Sequence, residues 1–401
     1  MKHLHRREGE FIALIALMMS LVALSIDAML PAFPDMAREF ALADGNQVQQ
    51  VIVALFLGLS IGQLWYGPLS DQWGRKPVML WGASVFLLGT LVCIFAEQYS
   101  TLLAGRFLQG LGVAALRVLC FALVRDLYSG AAMARVMSLA MSIFILVPCV
   151  APLLGQSILA VSHWRSIFVM LLLVALMLML WFWLRQEETL APSKRVVLNL
   201  TRLWRNGCEA CCQPVTVRYT LAIGLVQGGF TGYLLSAQQI FDEQYQSGDR
   251  FALYFALLAL AIGGASALNA KLVKRFDMRR ICTLAAAIAT LAGALGWSAQ
   301  LTGTLSFNGF MLLQAVIMFA TGLMLGNMNA LAMQPLGHIA GVASSAISFI
   351  SGMLALVIGA YIGWSFDGTS YALMLGVCLT SAATLAIVYR SKKHLMRIQT
   401  C

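Results

Sequence analysis

Gly67-Pro68-Leu69-Ser70-Asp71-Gln72-Trp73-Gly74-Arg75-Lys76 stands between two long apolar runs. Glycine, proline and serine together read as a turn, and the Asp, Arg and Lys that follow make the stretch polar. It predicts a short connector between two buried helices. The rest of the chain repeats this pattern. Of 401 residues, 60% are hydrophobic and 11% charged, and mean hydropathy is +0.82. A span takes about 20 apolar residues, so the chain has room for roughly a dozen. Candidate spans fall near 11–30, 48–67, 78–96, 102–124, 136–160, 166–184, 215–240, 251–270, 281–300, 306–330, 340–364 and 370–389. Main-chain groups in lipid must bond within their own segment, so these runs predict helices; barrel strands are shorter and alternate. The expected class is an all-α integral membrane protein of about 12 transmembrane helices.

The net charge of +10 raises the question of nucleic acid, and the placement of charge answers it. With the N-terminus inside, 22 of the 27 Lys and Arg fall on the inner side. Only Arg38, Arg165 and Arg250 fall outside, and Arg106 and Arg117 lie within spans. This asymmetry is the positive-inside pattern. It places both termini in the cytoplasm and makes the lipid bilayer, not nucleic acid, the partner of the basic residues. The first span carries Asp27, ends in Pro31-Ala-Phe-Pro34 and has no convincing small-residue cleavage site, so it reads as a retained helix. The nine cysteines lie mostly in spans or in the inner loop and imply no disulfide framework. Cys208, Cys211 and Cys212 form a C-x-x-C-C cluster without a matching second pair. They read as thiols in a reduced compartment, with a zinc site as the alternative. No cofactor is implied.

The longest polar stretch, Arg185 to Gln213, divides the chain into a first half at 1–188, a linker at 189–213 and a second half at 214–401. Val197 to Arg205 mixes apolar and basic residues, which suits a short helix on the inner leaflet. The linker lets the halves rock, or else is an inert tether. Lys271 to Arg280 occupies in the second half the place of Gly67–Lys76 in the first. It keeps the basic charge and one acid but lacks the Gly-Pro start. Internal repeats of this kind are typical of carriers, with the substrate site near the midplane.

Charges inside spans are costly and usually functional. They are Asp27 in the first span and Arg106 and Arg117 in the fourth. Asp27 and Arg106 are expected at similar depth in the outer half of the bilayer, where pairing is geometrically feasible. Arg106 and Arg117 are 11 residues apart, three turns plus roughly 20°, so they share a face with Gly110. Two like charges on one face predict a wet cavity beside it. Asp27 is either a proton-binding carboxylate or one partner of a structural ion pair with Arg106. Gly110-Leu-Gly112-Val-Ala-Ala115 mimics a dinucleotide fingerprint, but that fingerprint needs a preceding strand. Inside a membrane helix, small residues instead allow close helix packing.

Several of these stretches resemble the major facilitator superfamily of secondary transporters. Gly67, Asp71, Gly74, Arg75 and Lys76 match its connector between the second and third helices. Arg106-Phe-Leu-Gln109-Gly110 matches its fourth-helix signature. Ile145 to Gly155, with Pro148, Pro152 and Gly155, resembles the fifth-helix signature of drug/proton antiporters, although Gln156 stands where a second glycine is usual. Asp27-Ala-Met-Leu30-Pro31 and Arg125-Asp126 are similar to the Bcr/CflA branch of drug efflux carriers. The resemblance covers nearly the whole chain and is strongest over residues 20–170.

The resemblance implies a fold of 12 helices in two pseudo-symmetric six-helix halves, and export of small lipophilic drugs in exchange for protons. It places Asp71, Arg75 and Asp126 in an inner gate, with an acid after the fourth helix pairing with the motif arginine. Asp71 is placed to dock on the N–H groups that open the eleventh span near Gly341; a plain topogenic charge cluster is the other reading. Proton coupling falls to Asp27 and Arg106. The substrate cavity is expected to draw on Arg106, Gln109, Gly110 and Arg117 in the first half and on Tyr233 and Gln238 in the second. Arg117 belongs to no motif and tunes the substrate range, which the two buried arginines against one acid bias toward neutral or anionic compounds. The carrier is expected to act as a monomer in a bacterial inner membrane. A proton-coupled uptake symporter is the alternative. An enzyme is disfavoured because His3, His5, His163, His338 and His394 lie at ends or connectors, and no span holds an acid–His or Ser–His cluster.

Overall fold

The computed structural model describes residues 2–197 and 199–399, with side chains undescribed at 2–7, 391–399 and a few positions between. Leu198 of the expected linker lies outside the described residues, as do the side chains of Lys2, Arg6, Arg7, Lys194, Arg202, Lys392, Lys393 and Arg397. The side chains of His3, His5, His338 and His394 lie outside them too. Among the described residues, twelve helices are long and apolar enough to cross a membrane, and there is no strand. They are α1 Glu8–Glu39, α2 Gly45–Trp73, α3 Arg75–Ile94, α4 Tyr99–Leu127, α5 Arg135–Leu159, α6 Arg165–Arg185, α7 Pro214–Gln244, α8 Gly248–Leu272, α9 Met278–Leu301, α10 Phe307–Gly337, α11 Ala340–Trp364 and α12 Tyr371–Arg390. The chain is a multi-pass membrane protein.

The expected turn at Gly67-Pro68-Ser70 is helix instead. The second span runs unbroken to Trp73 and the third starts at Arg75. The whole turn is Gly74, whose φ of +103° is open to glycine and strained for other residues. Pro68 cannot donate a main-chain hydrogen bond. That frees the Leu64 carbonyl, one turn back, of its usual helical donor; beyond it the helix end is held by Ser70, whose hydroxyl donates to the Gly67 carbonyl at 2.7 Å.

The chain forms two compact units, Met1–Leu200 and Thr201–Cys401. In the first, α4 packs against α2 and α3, α1 against α5, α4 and α6, and α3 against α6. In the second, α10 packs against α8 and α9, α7 against α11, α10 and α12, and α9 against α12. Adding six to each helix number of the first set gives the second, so the internal repeat, faint in sequence, is plain in the packing.

Small residues make the tightest contacts. A Cβ at Gly110 would lie 2.0 Å from the Leu55 carbonyl oxygen of α2, and one at Gly112 would lie 2.2 Å from the Phe86 nitrogen of α3. The two glycines therefore serve opposite sides of α4, each admitting one neighbouring backbone. Large apolar side chains point outward. On α9, Leu284, Ile288, Leu291 and Leu295 are exposed along one helical stripe, the surface that meets acyl chains.

Candidate functional site

Asp27 closes the regular part of α1. The α-helix ends there, and the chain continues as a single 3-10 turn, Leu30–Ala32, before the short helix Phe33–Glu39. Pro31, at the start of that turn, supplies no N–H and suits the change. Counted from Glu8, Asp27 stands about 28 Å along the helix, away from its N-terminal end. It is buried. Among the described residues it forms no ion pair and no hydrogen bond. Its titratable neighbour is Cys149 of α5, within electrostatic reach. Pro148 and Pro152 flank that cysteine inside α5 and deprive the carbonyls of Phe144 and Pro148 of their usual partners. The helix is thereby weakened beside the carboxyl.

Arg106 does not reach Asp27. Its side chain is fully enclosed. Nε donates to the Val51 carbonyl at 3.1 Å, Nη1 to Gln109 Oε1 at 2.9 Å and Nη2 to the Ser25 carbonyl at 3.0 Å. The Phe168 ring of α6 lies 5.8 Å from the guanidinium carbon. Gln109 Nε2 passes the link on to Thr90 Oγ1 at 2.8 Å. One arginine thus joins α1, α2, α3, α4 and α6. Charge-assisted bonds to main-chain carbonyls satisfy a buried guanidinium without a carboxylate, which is why the feasible pairing with Asp27 is not made. The expected wet face is also divided: Arg106 and Gly110 are buried, while Arg117 is exposed.

At the end of the first unit that carries the α2–α3 turn, Arg75 is the hub. It is 3% exposed. Nη1 meets Asp71 Oδ1 and Ser70 Oγ, each at 2.6 Å, and Nε meets Asp126 Oδ2 at 2.9 Å. The segment after α6 completes the cluster. Glu188 accepts the main-chain N–H groups of Arg75 and Lys76 at 2.9 and 3.1 Å, capping α3. An anion at a helix N-terminus is favourable. Thr189 Oγ1 donates to Asp126 at 3.2 Å, and the Val196 N–H to the Asp71 carbonyl at 3.0 Å. Lys76 Nζ donates to the Trp183 carbonyl at 2.9 Å. Glu188 and Thr189 were missed in sequence. The available signal was an acid and a hydroxyl three and four residues past the end of a span.

A cluster at the opposite end of the unit was also missed. Glu39 accepts from Trp164 Nε1 at 2.6 Å, contacts His163 Nε2 at 3.0 Å and pairs with Arg165. Arg165 also donates to the Ala96 carbonyl at 2.7 Å. This ties the C-terminal ends of α1 and α3 to the start of α6.

In the second unit Tyr233 and Gln238 of α7 are buried, and the Tyr233 ring stacks on Phe255 with centroids 5.7 Å apart. Asn269 of α8 and Asn327 of α10 exchange side-chain hydrogen bonds at 3.1 and 2.8 Å. Gln314 of α10 is fully buried, yet neither of its amide atoms has a hydrogen-bond partner among the described residues. Met311-Leu-Leu-Gln314-Ala parallels Arg106-Phe-Leu-Gln109-Gly. Cys208, Cys211 and Cys212 are exposed on the helix Leu200–Cys212. Burial, and then its two neighbours, push the Cys211 thiol up from its ordinary value. Among the described residues no three His, Cys, Asp or Glu are grouped to hold a metal.

Two six-helix units of repeated packing, a membrane-buried carboxyl and a charged hub at the Gly74 turn define a secondary transporter. The family model of the Major Facilitator Superfamily matches residues 15–360, and the chain belongs to that superfamily. Among curated relatives, the chain is 31% identical over 372 residues to the uncharacterized MFS-type transporter YdgK of Bacillus subtilis, covering 90% of each chain. It is 28% identical to the bicyclomycin resistance protein homolog of Haemophilus influenzae, covering 96% of this chain and 97% of that one. It is 27% identical to multidrug resistance protein D of Escherichia coli, covering 87% and 88%. These names agree with the Bcr/CflA-like resemblance. The fold is shared with the human organic anion transporter MFSD10 at a TM-score of 0.73 and 18% identity, covering 95% of this chain and 99% of that one. It is shared with the E. coli xylose transporter XylE at 0.72 and 12%, covering 95% and 97%.

Proposed function

We propose that this transporter exports small lipophilic drugs across a bacterial inner membrane in exchange for protons, by alternating access, with both termini in the cytoplasm. The observation that carries the reading is Asp27: a buried carboxyl at membrane depth without a counter-cation, beside a helix weakened by two prolines. Such a group takes and releases a proton as its access to water changes. The names of the relatives support drugs as cargo. One proton moving down 100 mV supplies about 2.3 kcal/mol, enough for a roughly fifty-fold drug gradient at about 1.4 kcal/mol per tenfold. In this reading the Arg75 cluster with Asp71 and Asp126 is the inner gate, and Gln109 and Gly110 serve to place Arg106. The carrier acts as a monomer.

The test is transport in proteoliposomes carrying a pH dye in the lumen. Drug and protons should move in opposite directions, and Asp27→Asn should stop both. Drug movement with a silent dye, or movement of drug in the same direction as protons, rejects antiport.

A further inference from the structure

Arg106 and Arg117 share a face of α4 but not a fate. The first is spent on carbonyls. The second is exposed, and among the described residues it has no hydrogen bond and no ion pair. Arg117 lies ten residues from Leu127 and eighteen from Tyr99, about 15 Å from the inner end and about 27 Å from the outer end of the helix. At that depth a guanidinium set against acyl chains is costly. Its face therefore borders water or a ligand.

The acids of the same unit are engaged elsewhere or stand at another height. Glu8 pairs with Arg135, Glu10 with Arg185, Glu39 with Arg165 and Asp126 with Arg75. Asp27 is higher in the bilayer. One turn from Arg117, the Phe121 ring is 43% exposed. An open guanidinium beside an open ring offers a planar, permanently charged fork for an anion and an apolar plate for an arene.

We infer that Arg117 determines specificity in the drug site, taking the carboxylate, or an equivalent anionic group, of an amphiphilic aromatic substrate whose ring lies against Phe121. This rests on the export reading for its setting but not for its test, because equilibrium binding needs no gradient.

The experiment uses the purified full-length carrier in lipid nanodiscs. The probes are nalidixate, an aromatic carboxylate, and ethidium, an aromatic cation. Arg117→Gln should weaken nalidixate at least tenfold, about 1.4 kcal/mol, and leave ethidium unchanged or tighter. Arg117→Lys should recover part of the loss, because it keeps the charge without the fork. Failure of the wild type to bind nalidixate, or equal binding by wild type and Arg117→Gln, overturns the inference. A second measurement needs no variant. Phenylglyoxal should modify Arg117 in membranes, with nalidixate protecting it, and an unmodified Arg117 likewise overturns the inference. Nalidixate bound through Arg117 yet accumulated by cells would reject export and leave this assignment standing.

Discussion

Gly155 of α5 lies against the main-chain oxygen of Ala28, the residue directly after Asp27. A Cβ at 155 would stand 2.1 Å from that oxygen. α5 therefore touches the first span at the end of its carboxyl-bearing segment. Gly155→Ala must push the two backbones apart at the proposed proton site. Overpacking of this kind costs about 1–3 kcal/mol. The variant is expected to insert in the membrane, melt earlier than the wild type and lose most proton-driven export, measured by thermal unfolding in detergent alongside vesicle transport. Wild-type transport would show that the contact does not serve coupling.

The separation of Asp27 from Arg106 gives two substitutions opposite signatures. Asp27→Asn breaks no ion pair, so its melting temperature should equal or exceed that of the wild type while pH-driven export is lost. Arg106→Ala leaves the Ser25 and Val51 carbonyls and Gln109 without a donor, at about 1.5–3 kcal/mol for each charge-assisted bond. Its melting temperature should fall sharply, and Arg106→Lys should not restore it, since one ammonium does not reproduce the planar fork. A fall as large for Asp27→Asn would mean that the two side chains are paired after all.

Glu188 converts the start of the segment after α6 into part of the inner cluster. Glu188→Ala removes the acceptor from two N–H groups at the start of α3, an N-cap type loss of about 0.5–2 kcal/mol. It also frees the Gly74 turn, since a Cβ at 74 would sit 2.4 Å from Glu188 Oε2. Glu188→Ala and Asp71→Ala are both expected to raise the labelling of single cysteines placed on the inner part of α4. Glu188→Gln, which keeps one acceptor, should fall between wild type and alanine. Unchanged labelling would reduce Glu188 to a simple cap.

Twelve helices, their order and the repeat were legible because lipid imposes one rule on every span: apolar over about 20 residues and bonded within itself. The Arg75–Asp126 pair was legible through the resemblance. The fate of Arg106 was not. A charge within a span announces that it needs partners, and main-chain carbonyls, which satisfy it here, leave no mark in the sequence. Pro68 misled for a related reason. Proline signals a break in water, but the last turns of α2 are held by Ser70 and by the cluster around Arg75. The cap Glu188 and the Asp126 partner Thr189 were hidden because they lie far in sequence from Arg75 and Asp126.

The two buried glutamines, Gln109 of α4 and Gln314 of α10, provide a paired test. Gln109 is held at both ends, by Arg106 and by Thr90, whereas Gln314 is as deeply buried with neither end bonded. A buried amide without partners costs about 1–3 kcal/mol relative to a satisfied one, and replacing it with an apolar residue of similar shape recovers that cost. Gln314→Met should therefore raise the melting temperature, because methionine fills the same volume and adapts to irregular space. Gln109→Met should lower it by stranding Arg106 Nη1. Both variants place the same side chain on the same kind of helix, so propensity and hydropathy cancel from the comparison. If Gln314→Met melts below the wild type, the amide is bonded in the working protein and the second unit holds a polar contact of its own at that height.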